Sequence, residues 1–260
     1  MLVKNFLDDR DMYSTIASMA YNLPYEECTK DTKEGKVRRN HGKVLQLAIS
    51  YGMQAKSLSN QLNISLDEAK VLHATLKQNL NRAFSYGDEQ KFFCKQTGYV
   101  KTLWGRKRRF PDYRLEPFEV LGNVPKEKKM AIVQQLKRAR YFDRYELINE
   151  LSYKYGVTIV DNNKKIRDCE TQILNSIIQG SAAEMTKVAL LLIDNDEFLC
   201  SIDAKPILAI HDEIILEAPK EHAEAVTKRL EELMVAAAQQ RVTTVPFKAE
   251  GGIMERWFKD

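Results

Sequence analysis

The chain has 260 residues, of which 44% are hydrophobic and 29% charged, and its formal net charge is +4. These values are typical of a globular protein with a sizeable core, in one large domain or two smaller ones, and they exclude a peptide or mini-protein. No run of about 18 apolar residues predicts a membrane span, and the N-terminus lacks the pattern of a signal peptide, so we expect a soluble, cytoplasmic protein without membrane contact.

The four cysteines, Cys28, Cys94, Cys169 and Cys200, lie far apart in the sequence. They form no Cys-x-x-Cys pair and have no histidine pattern near them, which argues against a zinc site and against a disulfide framework. We expect reduced thiols with a structural role.

A helix is predicted within residues 10–28, where Asn22-Leu23-Pro24 ends the helical run. A second helix is predicted over residues 37–53, and it carries a chemical pattern. Arg39, Lys43, Leu47 and Tyr51 are four apart, so they share one slowly drifting stripe of the helix. The two cations suit a polyphosphate, and the apolar and aromatic residues suit a base or a sugar. A surface helix with solvated cations and a buried face around Leu45 explains the spacing equally well.

Residues 54–96 predict two further helices, the second capped by Ser65 with Glu68 completing a capping box. Residues 98–111 then predict a hairpin with a turn at Trp104-Gly105 and a basic second arm. Cations interleaved with aromatic residues suit a nucleic-acid surface, although an edge strand protected by charge gives the same pattern.

The next part of the chain is less informative. A proline-marked loop precedes a basic helix predicted over about residues 126–151, and a Tyr-rich segment follows it. A long helix is predicted over residues 168–192, with Asn175 and Gln179 on one face. Amides that become buried need hydrogen-bonding partners, which DNA could supply.

Residues 205–219 predict a tight hairpin in which His211, Asp212 and Glu213 lie between two apolar arms bounded by prolines. An unpaired carboxylate in a buried strand is costly, so a metal ion or catalysis would explain these residues, and a charged surface turn is the alternative. Both carboxylates can face one ion only if the turn twists the backbone. An amphipathic helix over residues 220–241 and a last strand over residues 245–250, beside the hairpin, complete the prediction.

Taken in this order, these stretches resemble the C-terminal polymerase region of family A DNA polymerases, of the bacterial DNA polymerase I type and particularly its phage members. The resemblance covers nearly the whole chain except about residues 113–165, which resemble a phage-type insertion. It implies an α+β fold with a mostly helical fingers region over residues 1–173. Residues 174–260 would form the C-terminal part of an antiparallel-sheet palm with a catalytic β-hairpin.

The resemblance also implies roles in nucleotide binding. In the family's fingers helix, an Arg-x-x-x-Lys pattern followed by Tyr-Gly binds the incoming nucleotide, so Arg39 and Lys43 would hold the triphosphate. Tyr51 would lie by the templating base pair. Leu47 occupies the stacking position, where the family usually has Phe or Tyr, and Tyr13 stands where many members have a phosphate-contacting histidine.

The hairpin resembles the family's His-Asp-Glu motif, which implies two magnesium ions with Asp212 as a ligand, Glu213 beside them and His211 near the primer end. Other residues match family segments that contact DNA. These are Asn175, Gln179, Gly180, Arg106, Arg108 and Arg109.

The implied reaction is template-directed addition of deoxynucleotides to a primer 3′ end, by two-metal-ion nucleotidyl transfer in DNA replication. The family's second catalytic aspartate, in an Asp-Tyr-Ser motif, would fall just before Met1. We therefore expect a second polypeptide that carries this aspartate, the thumb and the remaining palm, and for a phage-encoded chain the site of action is the host cytoplasm.

Two other functions remain open at this point. One is a non-catalytic DNA-binding remnant of a polymerase. The other is a metal-dependent nuclease that uses Asp212 and Glu213, but the sequence shows no further clustered carboxylate or histidine for it, and a nuclease has no use for a triphosphate-binding stripe.

Overall fold

A computed structural model describes residues 2–51 and 53–256, and the side chains of these residues except 2 and 48–51. Within these ranges the helices are α1 (Leu2–Leu7), α2 (Met12–Tyr21), α3 (Lys33–Tyr51), α4 (Ala55–Leu62), α5 (Leu66–Asn79), α6 (Asn81–Thr97), α7 (Lys126–Arg138), α8 (Arg144–Tyr155), α9 (Asn163–Asp194), α10 (Glu197–Ser201) and α11 (Ala223–Gln239). The strands are β1 (Tyr99–Lys101), β2 (Lys107–Arg109), β3 (Phe118–Leu121), β4 (Thr158–Asp161), β5 (Lys205–Ile210) and β6 (Glu213–Glu217).

The strands pair in chain order, β1 with β2, β3 with β4 and β5 with β6, as separate two-stranded sheets. Short 3₁₀ helices lie at Tyr25–Cys28, Pro111–Arg114 and Lys220–His222. Long helices with small antiparallel sheets confirm the predicted α+β class.

The chain divides into two compact units. The first unit contains Met1–Ser85, Lys101–Lys107 and Asn175–Asp260, and the second contains Tyr86–Val100 and Arg108–Leu174. This is a division by compactness, and the assignment of residues 1–173 to fingers and 174–260 to palm stays a prediction.

Helices α2 to α5 of the first unit enclose an apolar cluster. Its buried members are Ile16, Met19, Ala20, Leu45, Leu58, Leu62, Ala69, Leu72, Leu76 and Leu80. The predicted capping box at the start of α5 is confirmed, because Ser65 and Glu68 exchange side-chain and backbone hydrogen bonds. The predicted end of the first helix is also confirmed, since Asn22 adopts a left-handed conformation (φ 54°) just after α2.

The prediction of two helices over residues 54–96 is wrong, because this segment forms α4, α5 and α6. The extra break lies at Leu80, whose backbone leaves the helical region (φ −116°). Leu80 is nevertheless buried in the same cluster as Leu76. The apolar periodicity therefore continues across the break, which hides it from a sequence pattern.

A second cluster of the first unit lies between the end of α9, α10, β6 and α11. Its buried residues are Ala189, Ile193, Leu199, Ala204, Ile214, Val226, Leu233 and Ala237. Within the described range, residues 241–256 form neither strand nor helix, so the predicted last strand over residues 245–250 is wrong. Pro246 has no N–H for a ladder, and the backbone N–H of Gly251 donates instead to Glu231 Oε1 on α11 (2.7 Å). Trp257 and Phe258 lie outside the described residues.

In the second unit, β3 and β4 pair antiparallel, with Phe118 opposite Asp161 and Leu121 opposite Thr158. Helices α7 and α8 cover one face of this pair. The buried residues between them are Phe118, Val120, Ile132, Leu136, Leu151, Val157 and Ile159. The single basic helix predicted over residues 126–151 is wrong, because Ala139 is extended (ψ 143°) and separates α7 from α8.

By length and composition alone, α9 could cross a membrane, with a mean hydropathy of 1.3 over its best 18-residue window. Some of its apolar residues are buried and others are exposed, such as Leu191 (63%) and Ile178 (43%). Ile173 is fully buried, and Ala189 and Ile193 belong to the cluster around α11. Only 22% of that window is buried, and a single helix of this kind is weak evidence for a membrane span.

Candidate functional site

The turn between β5 and β6 contains the predicted catalytic residues, and the predicted tight hairpin is confirmed. His211 and Asp212 form a two-residue turn closed by the pair Ile210 and Glu213. His211 has φ 56°, a left-handed conformation that non-glycine residues adopt uncommonly but histidine more readily than most. The hydroxyl of Thr186 on α9 donates to the carbonyl oxygen of His211 (3.3 Å). The turn is thus connected to α9, with the side chains of His211 and Asp212 exposed and Glu213 half-buried.

Carboxylate oxygens suit magnesium, which takes close to six oxygen ligands in octahedral geometry. Asp212 and Glu213 supply two neighbouring carboxylates. Across residues 2–51 and 53–256, no group of three His, Cys, Asp or Glu side chains is arranged to hold a metal ion. These residues therefore do not fit a complete magnesium site by themselves, and the assignment of Asp212 and Glu213 as ligands stays a prediction.

Five and six residues before Thr186 on α9, Ser181 and Gly180 contact the loop that carries Arg106. Ser181 Oγ accepts a hydrogen bond from the backbone N–H of Leu103 (3.0 Å) and donates to the carbonyl oxygen of Ile177 (2.6 Å). A Cβ on Gly180 would lie 2.8 Å from Thr102 Cγ2, so glycine permits this close approach.

The same loop is closed by its own hydrogen bonds. The backbone N–H of Thr102 donates to the carbonyl oxygen of Arg106 (3.0 Å), and the N–H of Gly105 donates to Thr102 (2.9 Å). Gly105 has φ 88°, which the tight turn requires. Arg106 is exposed at its end, so its cation is available to an anion.

Helix α9 thus brings several predicted residues of the first unit together. Asn175 and Gln179 are one turn apart, and Thr186, which binds the hairpin turn, follows Gln179 by seven residues. At about 1.5 Å per residue, the span from Asn175 to Thr186 is roughly 17 Å, the length of about five base pairs. Gln179 is exposed and Asn175 half-buried.

Arg108 and Arg109 belong to the second unit, where both are exposed. The guanidinium of Arg108 lies 5.7 Å from the centre of the Phe110 ring, a cation–π contact. Their role as DNA contacts stays a prediction.

The predicted nucleotide-binding stripe on α3 begins with a strongly held arginine. Arg39 Nε and Nη2 donate to the two carboxylate oxygens of Asp11 (3.0 and 2.8 Å), and its guanidinium lies 5.1 Å from the centre of the Tyr13 ring. Burial alone would raise the pKa of Asp11, but hydrogen bonds from Arg39 and Ser14 outweigh it and lower that pKa. Arg39 is thereby fixed in orientation by a bidentate ion pair.

Further along the stripe, Lys43 is exposed and the Leu47 residue is 45% exposed. Leu45 is fully buried and Val44 packs on the same cluster, as a surface helix requires. The stripe therefore presents a cation and an apolar side chain to the solvent beside the ion-paired Arg39. The side chains of Tyr51, Ala48 and Ile49, and the whole of Gly52, lie outside the described residues.

No role was predicted from the sequence for several residues that support the site: Asp11, Gly42, Ser181 and Thr186. A Cβ on Gly42 would collide with the carbonyl group of Tyr13, so this glycine lets α3 approach α2 closely. Its one available signal was its position inside a helix, where glycine costs about 1 kcal/mol relative to alanine. Glu184 was missed as well, and its buried Oε2 has no hydrogen-bond partner among the described residues.

Comparison with known proteins decides the family, because the family model described as DNA polymerase family A matches residues 1–259. The chain belongs to DNA polymerase family A. This confirms the resemblance at the level of the family, and the phage type stays a prediction.

Two curated family A relatives match over nearly all of this chain. It is 26% identical to the thermostable DNA polymerase I of Thermus aquaticus over 256 residues. This aligned region covers 98% of this chain and 24% of the relative. It is 27% identical to DNA polymerase I of Aquifex aeolicus over an alignment of 268 residues. This alignment covers 100% of this chain and 36% of the relative. The chain thus spans roughly a quarter to a third of the length of these family A polymerases.

A solved structure has the same fold. The POL domain of Pol1 from M. smegmatis, in complex with DNA primer-template and dNTP, superposes with a TM-score of 0.68 at 23% identity. The match covers 94% of this chain and 34% of the chain in that structure.

Proposed function

We propose that this chain is the C-terminal part of a DNA-directed DNA polymerase that adds deoxynucleotides to a primer 3′ end during replication. Its partners would be primer-template DNA and deoxynucleoside triphosphates, and its place the cytoplasm, that of the host if a phage encodes it. The observation that carries the proposal is the arrangement along α9. Gly180 and Ser181 contact the loop of Arg106, and Thr186 contacts the turn of Asp212.

In this reaction the primer 3′-oxygen attacks the α-phosphate of the nucleotide and pyrophosphate leaves. The triphosphate carries several negative charges, and Arg39 and Lys43 on one stripe of α3 would neutralise and orient it. Arg39 is already oriented by Asp11, so little side-chain freedom is lost when phosphate binds.

We propose that the metal centre is completed from outside the described residues, among which no three-residue metal-ligating group is found. In the proposed reaction two magnesium ions would stabilise the attacking and leaving oxygens. Asp212 and Glu213 would provide some of the ligands of these ions. The missing ligand that we propose is a carboxylate on another palm strand.

The outer edge of β5 is a suitable place for that strand. Within the described ranges β5 pairs with β6 alone, and its Ile207 and Leu208 are 59% and 42% exposed. Soluble proteins normally pair, cover or charge such an apolar edge. We propose that a second polypeptide with the thumb and remaining palm adds its aspartate-bearing strand here.

Nucleotide binding by α3 can be tested with Lys43→Ala. Loss of one charge-assisted contact should weaken binding of a correct deoxynucleotide to the complex with primer-template by about tenfold or more. Lys56→Ala removes an exposed lysine from α4 and is the matched control, with unchanged affinity expected. Equal affinities for the two variants in equilibrium binding with labelled nucleotide would contradict a triphosphate role for Lys43.

A non-catalytic DNA-binding remnant is the second candidate. It is favoured by the lack of a three-residue metal-ligating group among the described side chains. Primer-template affinity, measured by fluorescence anisotropy, separates the two. A polymerase should bind more tightly with magnesium and the templated nucleotide, whereas a remnant should be indifferent to both.

A further inference from the structure

The connection between α7 and α8 in the second unit exposes three large aromatic side chains. Phe142 is 89% exposed, Tyr145 76% and Tyr141 60%. We call this surface the aromatic corner, defined by these residues together with Arg138 and Arg140. Several exposed aromatic side chains within one short segment mark an interaction site in soluble proteins more often than single exposed apolar residues do.

The corner is also cationic. Residues 137–146 contain four Lys or Arg residues and two acidic ones, Asp143 and Glu146. Lys137, Arg138 and Arg140 are exposed, so they present charge to the solvent. Arg144 has a structural role, because its Nε donates to the carbonyl oxygen of Ala139 (3.3 Å).

The aromatic rings are held in a defined arrangement. The rings of Tyr141 and Phe142 meet edge to face, with centroids 5.6 Å apart and an interplanar angle of 82°. The guanidinium of Arg167 on α9 lies 5.4 Å from the centre of the Tyr141 ring. The ring of Phe142 therefore remains open to solvent beside an ordered neighbour.

The backbone under the corner is fixed as well. The N–H of Asp143 donates to Arg140 (3.1 Å), and the N–H of Leu147 donates to Asp143 (3.1 Å), which starts α8. Leu136 on the α7 side is fully buried, so the corner is anchored in the core of the unit. The exposure of its aromatic residues is thus a property of the fold.

We propose that the aromatic corner binds single-stranded nucleic acid, with bases stacking on Phe142 and Tyr145 and phosphates contacting Arg138 and Arg140. Flat rings stack on any base, and cations placed among them follow the backbone, which is how sequence-tolerant single-strand sites are built. A protein partner that covered the rings would also desolvate three cations, at a cost that the two nearby carboxylates of Asp143 and Glu146 offset only in part. The proposal goes beyond the proposed function, because the corner contains none of the residues assigned to nucleotide addition.

The test is fluorescence anisotropy of a labelled oligothymidine with the full chain and a Phe142→Ala/Tyr145→Ala variant. Each stacked base contributes enough that the double variant should bind at least about tenfold more weakly. Phe92→Ala removes a 67% exposed phenylalanine elsewhere in the second unit and should leave the affinity unchanged. Because all three side chains are exposed, thermal unfolding should stay at the same temperature in every variant.

The charge contribution has its own readout. Arg138→Gln/Arg140→Gln should reduce the slope of log affinity against log salt by about 1.4, since each phosphate contact on a single strand contributes about 0.7. Parallel titrations with oligothymidine and oligouridine show whether DNA or RNA is preferred, and binding of either supports the site.

A blunt DNA duplex separates this proposal from the polymerase function. The Phe142→Ala/Tyr145→Ala variant should bind the duplex with the same affinity as the unaltered chain, because the duplex would occupy the site along α9. Gln179→Ala should weaken duplex binding, which tests the polymerase site. It should leave the affinity for oligothymidine at the aromatic corner unchanged. Unchanged oligothymidine affinity in the Phe142→Ala/Tyr145→Ala variant, or an equal loss in Phe92→Ala, would overturn the proposal.

Discussion

Asp11 connects the start of α2 to the middle of α3. Its carboxylate accepts from the backbone N–H of Ser14 (2.8 Å), which caps α2, and its two oxygens accept from Nε and Nη2 of Arg39. A single side chain therefore fixes a helix end and the predicted triphosphate ligand. Its effect on stability should depend on pH.

Asp11→Asn should keep the helix cap and lose the ionic partner of Arg39, at a cost of about 1 kcal/mol because the pair is partly exposed. The folded-state pKa of Asp11 lies below the ordinary value of 3.8. The contribution is therefore complete above the ordinary pKa and is lost as the pH falls through the lowered value. Urea unfolding of both proteins from pH 7 to pH 3 should show a constant difference down to about pH 5 that then shrinks. A difference that grows towards acid would contradict this.

Gly42 is the residue at which α3 comes closest to α2. Alanine there would place its Cβ against the Tyr13 carbonyl group, so we expect Gly42→Ala to destabilise the fold by about 2 kcal/mol or more despite its better helix propensity. Asn40→Ala, at an exposed position of the same helix, should change the free energy of unfolding by less than about 0.5 kcal/mol. Greater stability of Gly42→Ala in urea unfolding would show that the two helices are further apart.

At the scale of residues, the sequence predicted what depends on near neighbours. The capping box of Ser65 and Glu68 needs two residues three apart, and it is confirmed. The pair of Asp11 and Arg39 joins positions 28 residues apart, and no local spacing points to it. The same holds for Ser181 and Leu103, which are 78 residues apart.

At the scale of elements, strong periodic patterns gave the helices and the two hairpins, because each pattern lies within one segment. The breaks were harder. Buried Leu80 continues the apolar period across the end of α5, and Ala139 interrupts α7 without a proline or glycine to mark it. The last strand failed for a different reason, since residues around Pro246 have strand-like composition but form no ladder within the described range.

The hairpin of β5 and β6 offers a test of strand addition. Ile210 and Glu213 flank a two-residue turn and form a hydrogen-bonded pair, so the N–H of Ala209 in the next pair points to the open edge. Ala209→Pro should therefore keep the hairpin and prevent docking of another strand, which abolishes polymerase activity in a complemented mixture. Ala209→Val retains the N–H and is the control, with activity preserved. Full activity of Ala209→Pro in primer extension would place the complementing strand elsewhere.

At the scale of the whole molecule, the sequence predicted the family and the α+β class, but not the two compact units. Three separate segments build the first unit and two build the second, and α9 contributes to both. A linear pattern gives contiguous regions, such as 1–173 and 174–260, because chain order is all that it contains. Among the described residues no three-residue metal-ligating group includes Asp212, and its completion by a carboxylate of another polypeptide stays a proposal.

The central claim is that this family A chain contributes Asp212 to a polymerase site completed by another polypeptide. It is tested most directly by primer extension with magnesium and all four deoxynucleotides. This chain is assayed alone and then together with the product of the coding sequence immediately upstream. Both assays are repeated with the Asp212→Ala variant of this chain. We expect primer extension only when both chains are present, and we expect Asp212→Ala to abolish it. Extension by the isolated chain, extension that survives Asp212→Ala, or no extension in either assay would contradict the claim.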